Sequence, residues 1–254
     1  MLVGPADADD RSINWGCFLM APWPGRLEGG ILSWHGVRYQ LPRNHGRHAI
    51  HGVVFDRRWN VERAGSSDAE LSCRFDPGSW PLGGSARQRI RLDAGGITLT
   101  GEIAADRSMP AALGWHPWFL RGQGDPRLRV RSDAVLVTQA MIPTGEVASV
   151  AGKTDLRRGP ALGSRRLDHA YVNVGSPATI SWPDLELAVE FEPPVSVVTV
   201  FTPLGAFCVE PQTARANALG LAGAAGRAAG AVVLEAGESL TATMRIAWRV
   251  PAVG

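Results

Sequence analysis

Apolar and polar residues alternate along most of the chain. Residues 97 to 103 follow a period of two, as do residues 185 to 191, where glutamates occupy the opposite face, and residues 240 to 248. Such alternation is typical of β-strands with one buried face. Two short strands are expected around His35 and Gly36, and residues 93 to 96 carry a hairpin turn signal. The pattern therefore predicts an all-β fold.

Two further segments have a less regular pattern. Residues 128 to 137 are apolar enough to predict one more strand, whereas the alanine-rich residues 218 to 231 contain glycines that favour a loop over a helix. The 18 prolines and 30 glycines are spread along the chain and form no linker. We therefore expect a single domain over residues 1 to 254.

The composition of the chain argues against several classes of function. A net charge of +2 with scattered arginines predicts no nucleic-acid partner. Cys17, Cys73 and Cys208 are widely spaced, which indicates neither a disulfide framework nor a zinc site and makes the cytoplasm the expected compartment. No segment approaches the length of a membrane span, so no membrane partner is expected. Lys153, the only lysine, lies among polar loop residues and is a poor candidate for Schiff-base chemistry.

The first candidate for chemistry is Glu210, in the stretch FCVEPQTARAN. An apolar, strand-like run precedes this carboxylate, and Pro211 follows it directly. Because proline cannot donate to a strand ladder, we expect the strand to end here, with Glu210 at its end. The alternative is a surface glutamate in an ordinary loop.

The second candidate is His116, in the stretch GWHPWFL. The proline that follows it favours an extended backbone, and neighbouring tryptophans offer faces on which a sugar can stack. The alternative is a core histidine. Arg26 and His51 are candidates for hydrogen bonding to a ligand. His45, His48 and His51 recur at a spacing of three, but glycines and the lack of a carboxylate favour an irregular loop over a metal site.

Five segments together resemble, in the same order, the signature segments of the aldose 1-epimerase (galactose mutarotase) family. They are MAPWPGR, NHGRHAIHGVVFDRRW, GWHPWF, LDHAYV and FCVEPQT. The resemblance covers the chain from about Gly16 to the C-terminus, where VVLEAGESLTATMRI is similar to the closing strand pair of the family. It implies a large antiparallel β-sandwich, the galactose mutarotase-like supersandwich, with a sugar cleft on one concave sheet.

The resemblance also implies roles for individual residues. It assigns catalysis to Glu210 as the base and His116 as the acid, and substrate binding to Arg26, His51 and Asp168, with no cofactor and no metal. Two departures stand out. Gly25 occupies a position where the family often has asparagine, and the chain begins so close to Arg26 that the first strands of the family are expected to be missing.

Three functions follow as hypotheses. The first is an aldose 1-epimerase that interconverts the α and β anomers of a hexose by acid and base catalysis of ring opening. The second is a non-catalytic carbohydrate-binding domain of the same fold. The third is a sugar-phosphate 1-epimerase, which needs further arginines in the cleft; the sequence alone does not place Arg43, Arg47 or Arg121 there. A small-molecule sugar is the expected partner in each case.

Overall fold

Strands make up most of the computed structural model, which describes residues 2 to 7, 11 to 122, 124 to 221 and 223 to 250. In chain order the strands are β1 (Cys17–Met20), β2 (Arg26–Leu27), β3 (Ile31–Trp34), β4 (Val37–Gln40), β5 (Ala49–Ile50), β6 (Asn60–Ala64), β7 (Asp68–Arg74), β8 (Ser85–Asp93), β9 (Gly96–Ala104), β10 (Met109–Ala111), β11 (Gly114–Leu120), β12 (Arg127–Arg131), β13 (Ala134–Gln139), β14 (Ile142–Ser149), β15 (Asp168–Val172), β16 (Gly175–Ser181), β17 (Glu186–Phe191), β18 (Val197–Phe201), β19 (Ala206–Gln212), β20 (Val232–Leu234) and β21 (Ser239–Arg249).

Helical structure is short. The described residues contain one α-helix, α1 (Gly223–Ala228), and 3-10 turns at Pro5–Asp7, Ser12–Asn14, Glu28–Gly30, Gly152–Thr154 and Ala218–Gly220. None of the helices in this part of the chain is long and apolar enough to cross a membrane.

Two large antiparallel sheets carry the fold, as the alternation predicts. The first, called the site sheet, has seven strands in the order β1, β11, β19, β18, β15, β13, β14. The second, called the outer sheet, has eight strands in the order β12, β16, β17, β21, β9, β8, β7, β6. Strands β2 and β5, β3 and β4, and β10 and β20 form three smaller pairs. The antiparallel β-sandwich expected from the sequence is confirmed.

The core is formed by inward-facing residues of both sheets. Trp115 and Phe119 of the site sheet belong to the same buried cluster as Ile103 and Met244 of the outer sheet, and all four are fully buried. Burial of each such side chain stabilises the fold by roughly 2 to 3 kcal/mol. Because successive side chains of a strand point to opposite faces, burial of Trp115 and Phe119 turns His116 the other way, away from the core.

Residues 128 to 137 form two strands, where the sequence predicted one. Strand β12 belongs to the outer sheet and β13 to the site sheet, so the chain crosses between the sheets in this segment. Ser132 lies at the crossing, where its buried hydroxyl donates to the carbonyl of Val172 at 2.6 Å. The apolar run is continuous because both strands are packed against the core.

Strand β19 does not end at Glu210, contrary to the prediction from Pro211. The strand continues to Gln212, and Pro211 is paired with Val198 of β18. On the other side, the ladder with β11 pairs Gly114 with Gln212 and resumes at Trp118 with Cys208. Pro117 and Pro211 both lie between those pairs and have no N–H to donate, so the strand runs on past a local gap in its hydrogen bonds. Glu210 therefore lies inside a central strand.

Near the C-terminus, one prediction was wrong and one was confirmed in part. Residues 218 to 231, expected to be a loop, include α1, because alanines favour helix strongly enough to offset the glycines over this short length. The expected closing strand pair does form two strands, β20 and β21, but they do not pair with each other. Strand β20 pairs with β10, and β21 pairs with β9 and β17.

Candidate active site

A cavity of about 280 Å³ lies on the face of the site sheet that points away from the core. Its wall includes strands from across this sheet and the loops that precede β2 and follow β5. All five residues that the sequence singled out line the cavity: Arg26, His51, His116, Asp168 and Glu210. Residues separated by as much as 184 positions in the chain are thus brought to one place by sheet pairing.

His116 and Glu210 are direct neighbours in this cavity. The pairing of β11 with β19 places them opposite each other, and Nε2 of His116 lies 3.3 Å from Oε1 of Glu210. Their side chains are only 5% and 3% exposed, so the contact is largely shielded from bulk water. The second oxygen of Glu210 accepts a hydrogen bond from Nε2 of Gln212 at 3.0 Å. An acid and base candidate therefore form a pre-oriented pair.

The imidazole of His116 stacks against two aromatic rings. The ring centroid of Phe18 lies 4.8 Å from that of His116 and the centroid of Trp118 lies 5.2 Å from it, with planes inclined by 22° and 24°. Trp118 is itself anchored, because its Nε1 donates to the carbonyl of Ile13 at 2.9 Å. Nδ1 of His116 is buried and has no hydrogen-bond partner among the described residues. Ring stacking therefore orients this imidazole.

Burial shifts the pKa values of both His116 and Glu210. It raises the pKa of the Glu210 carboxyl well above its ordinary range, with a further contribution from Asp168, while Gln212 and Arg26 oppose the shift. Burial also lowers the pKa of the His116 imidazolium, which its own backbone raises to a smaller extent. Both pKa shifts arise because a single charge is unfavourable in a buried environment. The two groups together can hold one proton between them as a neutral unit, which avoids this penalty.

His51 is fixed by its backbone and by Gly25. Its own φ is +61°, its N–H donates to the Gly25 carbonyl at 3.0 Å, and its Nδ1 accepts from the Gly25 N–H at 3.3 Å. An accepting Nδ1 assigns the ring proton to Nε2. Burial lowers the pKa of His51 well below its ordinary range, and the neighbouring His116 and Arg26 act in the same direction. His51 is therefore a neutral hydrogen-bond donor.

The structure explains why position 25 is a glycine in this chain, where the family often has an asparagine. Its φ is +65°, and a Cβ placed on it would lie 2.9 Å from the Cβ of Ala216. Any side chain at position 25 would therefore press on residue 216. The glycine lets the two hydrogen bonds to His51 form at close range.

Arg26 and Asp168 line another part of the cavity. Arg26 is paired with Ile50 on β5, directly before His51, and its carbonyl accepts from the N–H of Asn217 at 2.6 Å. Asp168 is the first residue of β15. Burial raises the pKa of the Asp168 carboxyl, and the positive charge of Arg26 opposes that shift. The cavity thus offers a guanidinium and a carboxyl group to the hydroxyls of a ligand.

Comparison with known proteins agrees with this geometry. The sequence model of the aldose 1-epimerase family matches residues 2 to 247. The chain belongs to the aldose 1-epimerase family. Galactose mutarotase of Bos taurus is 32% identical over 160 residues, which are 58% of this chain and 46% of that protein. An uncharacterised Escherichia coli protein, YphB, is 26% identical over 137 residues, or 52% of this chain and 46% of that protein. The alignments span about half the length of these curated relatives.

Solved structures show the same fold. A putative aldose 1-epimerase from Escherichia coli K12 superposes with a TM-score of 0.84 at 19% identity, covering 94% of this chain and 86% of that one. Galactose 1-epimerase from Lactobacillus acidophilus NCFM superposes with a TM-score of 0.78 at 21% identity, covering 98% and 84%. The galactose mutarotase-like fold implied by the five segments is confirmed.

The side chains of His45, His48 and His51 have different surroundings in this member of the family. His45 and His51 line the cavity. His48 closes a tight turn with His45 through two backbone hydrogen bonds of 3.1 Å, and its Nδ1 accepts from the N–H of Gly29 at 3.2 Å. The segment is a tight turn followed by the two-residue strand β5, so the prediction of an irregular loop was correct only in part.

One cluster in the described chain has the composition of a metal site. Ligand atoms of His116, Cys208 and Glu210 lie within 4.8 Å of one another. Burial raises the pKa of the Cys208 thiol well above its ordinary range, and the charge of Glu210 raises it further. Two of the three members of this cluster, His116 and Glu210, are the acid and base candidates in contact at 3.3 Å.

Several cavity residues of this family member were not predicted as site residues. Gln212 lies two positions after Glu210, so period two could have placed both on one face. Trp118 follows His116 by the same spacing. Thr199, Phe201 and Met141 carry no local signal, because only pairing with distant strands brings them to the cavity.

Proposed function

We propose that the protein is an aldose 1-epimerase, an isomerase that interconverts the α and β anomers of a hexose without a cofactor. The observation that carries the proposal is the 3.3 Å contact between Nε2 of His116 and Oε1 of Glu210 in the wall of the cavity. The ring oxygen and the anomeric hydroxyl of a pyranose are bonded to the same carbon. Two catalytic atoms this close together can therefore reach both sugar oxygens at once.

The reaction needs one proton on the pair. Glu210, as a carboxylate, accepts the proton of the anomeric hydroxyl while His116, as an imidazolium, donates its proton to the ring oxygen. The bond between the anomeric carbon and the ring oxygen breaks, and a carbonyl forms at that carbon. Rotation about the adjacent carbon–carbon bond exposes the other carbonyl face. The reverse transfers close the ring as the other anomer and restore both side chains.

The remaining cavity residues would bind the sugar. The Nε2–H of His51 and the guanidinium of Arg26 are donors that would hold the sugar and stabilise negative charge developing on the ring oxygen. Asp168 would accept hydrogen bonds from hydroxyls remote from the anomeric carbon. Trp118 offers a flat apolar face for the C–H surface of the sugar.

The competing functions make different demands on these residues. A binding domain has no need for an acid and a base in contact, whereas the pair here is buried and pre-oriented. A sugar-phosphate epimerase needs additional cations. Arg43, Arg47 and Arg121 are not among the residues that line the cavity, whereas Arg11 is. The contact between acid and base favours an epimerase over a binding domain, and Arg11 is a cation that a phosphorylated aldose would use.

Polarimetry tests the proposal. Freshly dissolved single anomers of glucose and galactose should reach equilibrium rotation faster with the protein than in buffer alone. The Glu210→Gln variant should abolish most of that acceleration. Sugar binding without acceleration by the parent protein would instead establish a binding domain.

A further inference from the structure

Three side chains that can ligate a metal share one face of two neighbouring strands. Phe207 and Val209 on β19 are fully buried between the two large sheets. Because side chains alternate along a strand, Cys208 and Glu210 turn to the opposite face, which carries the cavity. His116 lies beside Glu210 on the adjacent strand β11. A thiol, an imidazole and a carboxyl group are thus gathered in one place, and the last two line the cavity.

The separations between these ligand atoms suit a tetrahedral ion. Around Zn²⁺, with bonds of about 2.0 to 2.3 Å, a nitrogen and an oxygen ligand lie about 3.3 Å apart, and a sulfur lies about 3.6 Å from either. Nε2 of His116 and Oε1 of Glu210 are 3.3 Å apart. All three ligand atoms lie within 4.8 Å of one another, so the Cys208 thiol would have to move by about 1 Å at most. A small rotation of its side chain gives such a shift.

Charge and an outer partner also suit a divalent cation. A thiolate and a carboxylate carry two negative charges, so with a neutral imidazole they make the complex with Zn²⁺ neutral. A neutral complex suits a buried place, where an uncompensated charge is costly. The buried amide of Gln212 donates to Oε2 of Glu210 at 3.0 Å, which holds the carboxylate in place and leaves Oε1 to bind the ion. Sulfur and imidazole ligands favour Zn²⁺ and Co²⁺ over Mg²⁺.

We propose that Cys208, His116 and Glu210 form an inhibitory site for a thiophilic divalent cation such as Zn²⁺. On binding, the thiol of Cys208 releases its proton to solvent, while His116 ligates as a neutral imidazole and Glu210 as a carboxylate. The fourth position of the tetrahedron faces the cavity and takes a water molecule. With their lone pairs bound to the cation, His116 and Glu210 can no longer transfer protons. The cation site stands independently of the proposed epimerase function, and only the inhibition rests on that function.

The first test detects the cation directly, with Co²⁺ as the spectroscopic probe. A tetrahedral Co²⁺ complex with a thiolate should give intense visible bands and a near-ultraviolet sulfur-to-cobalt band, both of which added Zn²⁺ removes. Cys208→Ala should abolish the near-ultraviolet band and weaken Co²⁺ binding by at least about 100-fold, the upper end of the cost of losing an outer partner.

Cys73→Ala is the matched control, since Cys73 is also buried but lies on β7 of the outer sheet. Circular dichroism checks that each variant folds, and Cys208→Ser replaces Cys208→Ala if the alanine variant does not. The site is overturned if the parent protein lacks the sulfur-to-cobalt band, if the folded Cys208 variant keeps it, or if Cys73→Ala loses it equally.

The second test measures mutarotation of glucose, with the rate in buffer at the same metal concentration subtracted. Saturating Zn²⁺ should lower the rate of the parent protein by at least about 100-fold, because proton transfer is lost, and a chelator should restore it. Mg²⁺ should have no effect. The Cys208 variant, compared with its own metal-free rate, should be inhibited far less at the same Zn²⁺ concentration. Mutarotation that Zn²⁺ does not inhibit overturns the proposal and leaves the epimerase function standing. Cobalt bands in a protein that shows no mutarotation without metal support the cation site and overturn the epimerase function.

Discussion

The rings of Phe18 and His116 stack with centroids 4.8 Å apart and planes inclined by 22°. The two residues are paired across β1 and β11, so the sheet register itself sets this contact. The face of an aromatic ring attracts a cation and packs well against a neutral imidazole. Phe18 therefore contacts the proposed acid without facing the proposed base and acts as a positioning residue.

Phe18→Leu should reduce kcat about tenfold and change KM little, since the acid loses its orientation while the sugar contacts remain. The alkaline limb of the pH profile should move to lower pH, because the imidazolium loses a favourable ring face. Steady-state polarimetry between pH 5 and 9 measures both effects. Phe119→Leu is the control. Phe119 lies on β11, the strand that carries His116, but its ring packs against Phe207 in the core. A similar pH shift in both variants would contradict a positioning role.

Glu210→Gln should lower the rate of anomer interconversion by at least about 100-fold, because the amide keeps the shape of the side chain and cannot accept the proton. Sugar affinity, measured by calorimetry, should change much less. Glu192→Gln, at an exposed position, serves as the control. A Glu210→Gln rate equal to the parent rate would show that the catalytic assignment is wrong.

The pH dependence of kcat/KM should be bell-shaped. In the proposed mechanism, activity requires one proton on the His116 and Glu210 pair, so it should fall when the carboxylate is protonated at low pH and when the pair loses its proton at high pH. The two limbs report macroscopic pKa values of the pair. His116→Asn should lower the rate by at least about 100-fold and remove the bell shape. A bell-shaped profile that persists in this variant would assign the titration to other groups.

The same carboxyl should make stability depend on pH. Burial holds the pKa of Glu210 above its unfolded value, so its favourable contribution is complete below the unfolded pKa and is lost as pH rises through the folded pKa. Glu210→Gln removes this ionisation. The Tm of the variant minus that of the parent should therefore be larger at pH 9 than at pH 5, as calorimetry can measure. An equal difference at both values would show that burial does not shift this pKa upward.

Asp168→Ala should raise KM for a hexose about tenfold and leave kcat within about threefold, because its proposed hydrogen bonds exist in the ground and transition states alike. Arg26→Ala should act in the same direction. Initial rates over a range of sugar concentrations separate the two constants. A large fall in kcat with unchanged KM would place Asp168 among the groups that act only in the transition state.

Local sequence determined much of the fold. The alternation over residues 97 to 103, 185 to 191 and 240 to 248 correctly predicted strands, because a strand with one buried face requires a period of two. Turn chemistry placed the hairpin between β8 and β9 and the one between β3 and β4. The five ordered segments indicated the family and contain five of the residues that line the cavity: Arg26, His51, His116, Asp168 and Glu210.

Local rules failed where neighbouring strands decided the outcome. Pro211 was predicted to end a strand, yet β18 and β11 hold β19 in place on both sides of it. Residues 128 to 137 were predicted to form one strand. They form β12 and β13 in different sheets, because the two halves pair with different strands. The turn at Ala140 and Met141 likewise could not be predicted from its sequence, because it contains neither glycine nor asparagine.

The sequence by itself determined that the chain is built of strands, placed several of them, and showed which side chains have the chemistry for proton transfer. Tertiary structure decided that His116 lies opposite Glu210, that Phe18 stacks on that histidine, and that Met141 reaches the cavity. The reason is physical: backbone preference and side-chain alternation act over a few residues, whereas the register between strands depends on the packing of residues far apart in the chain.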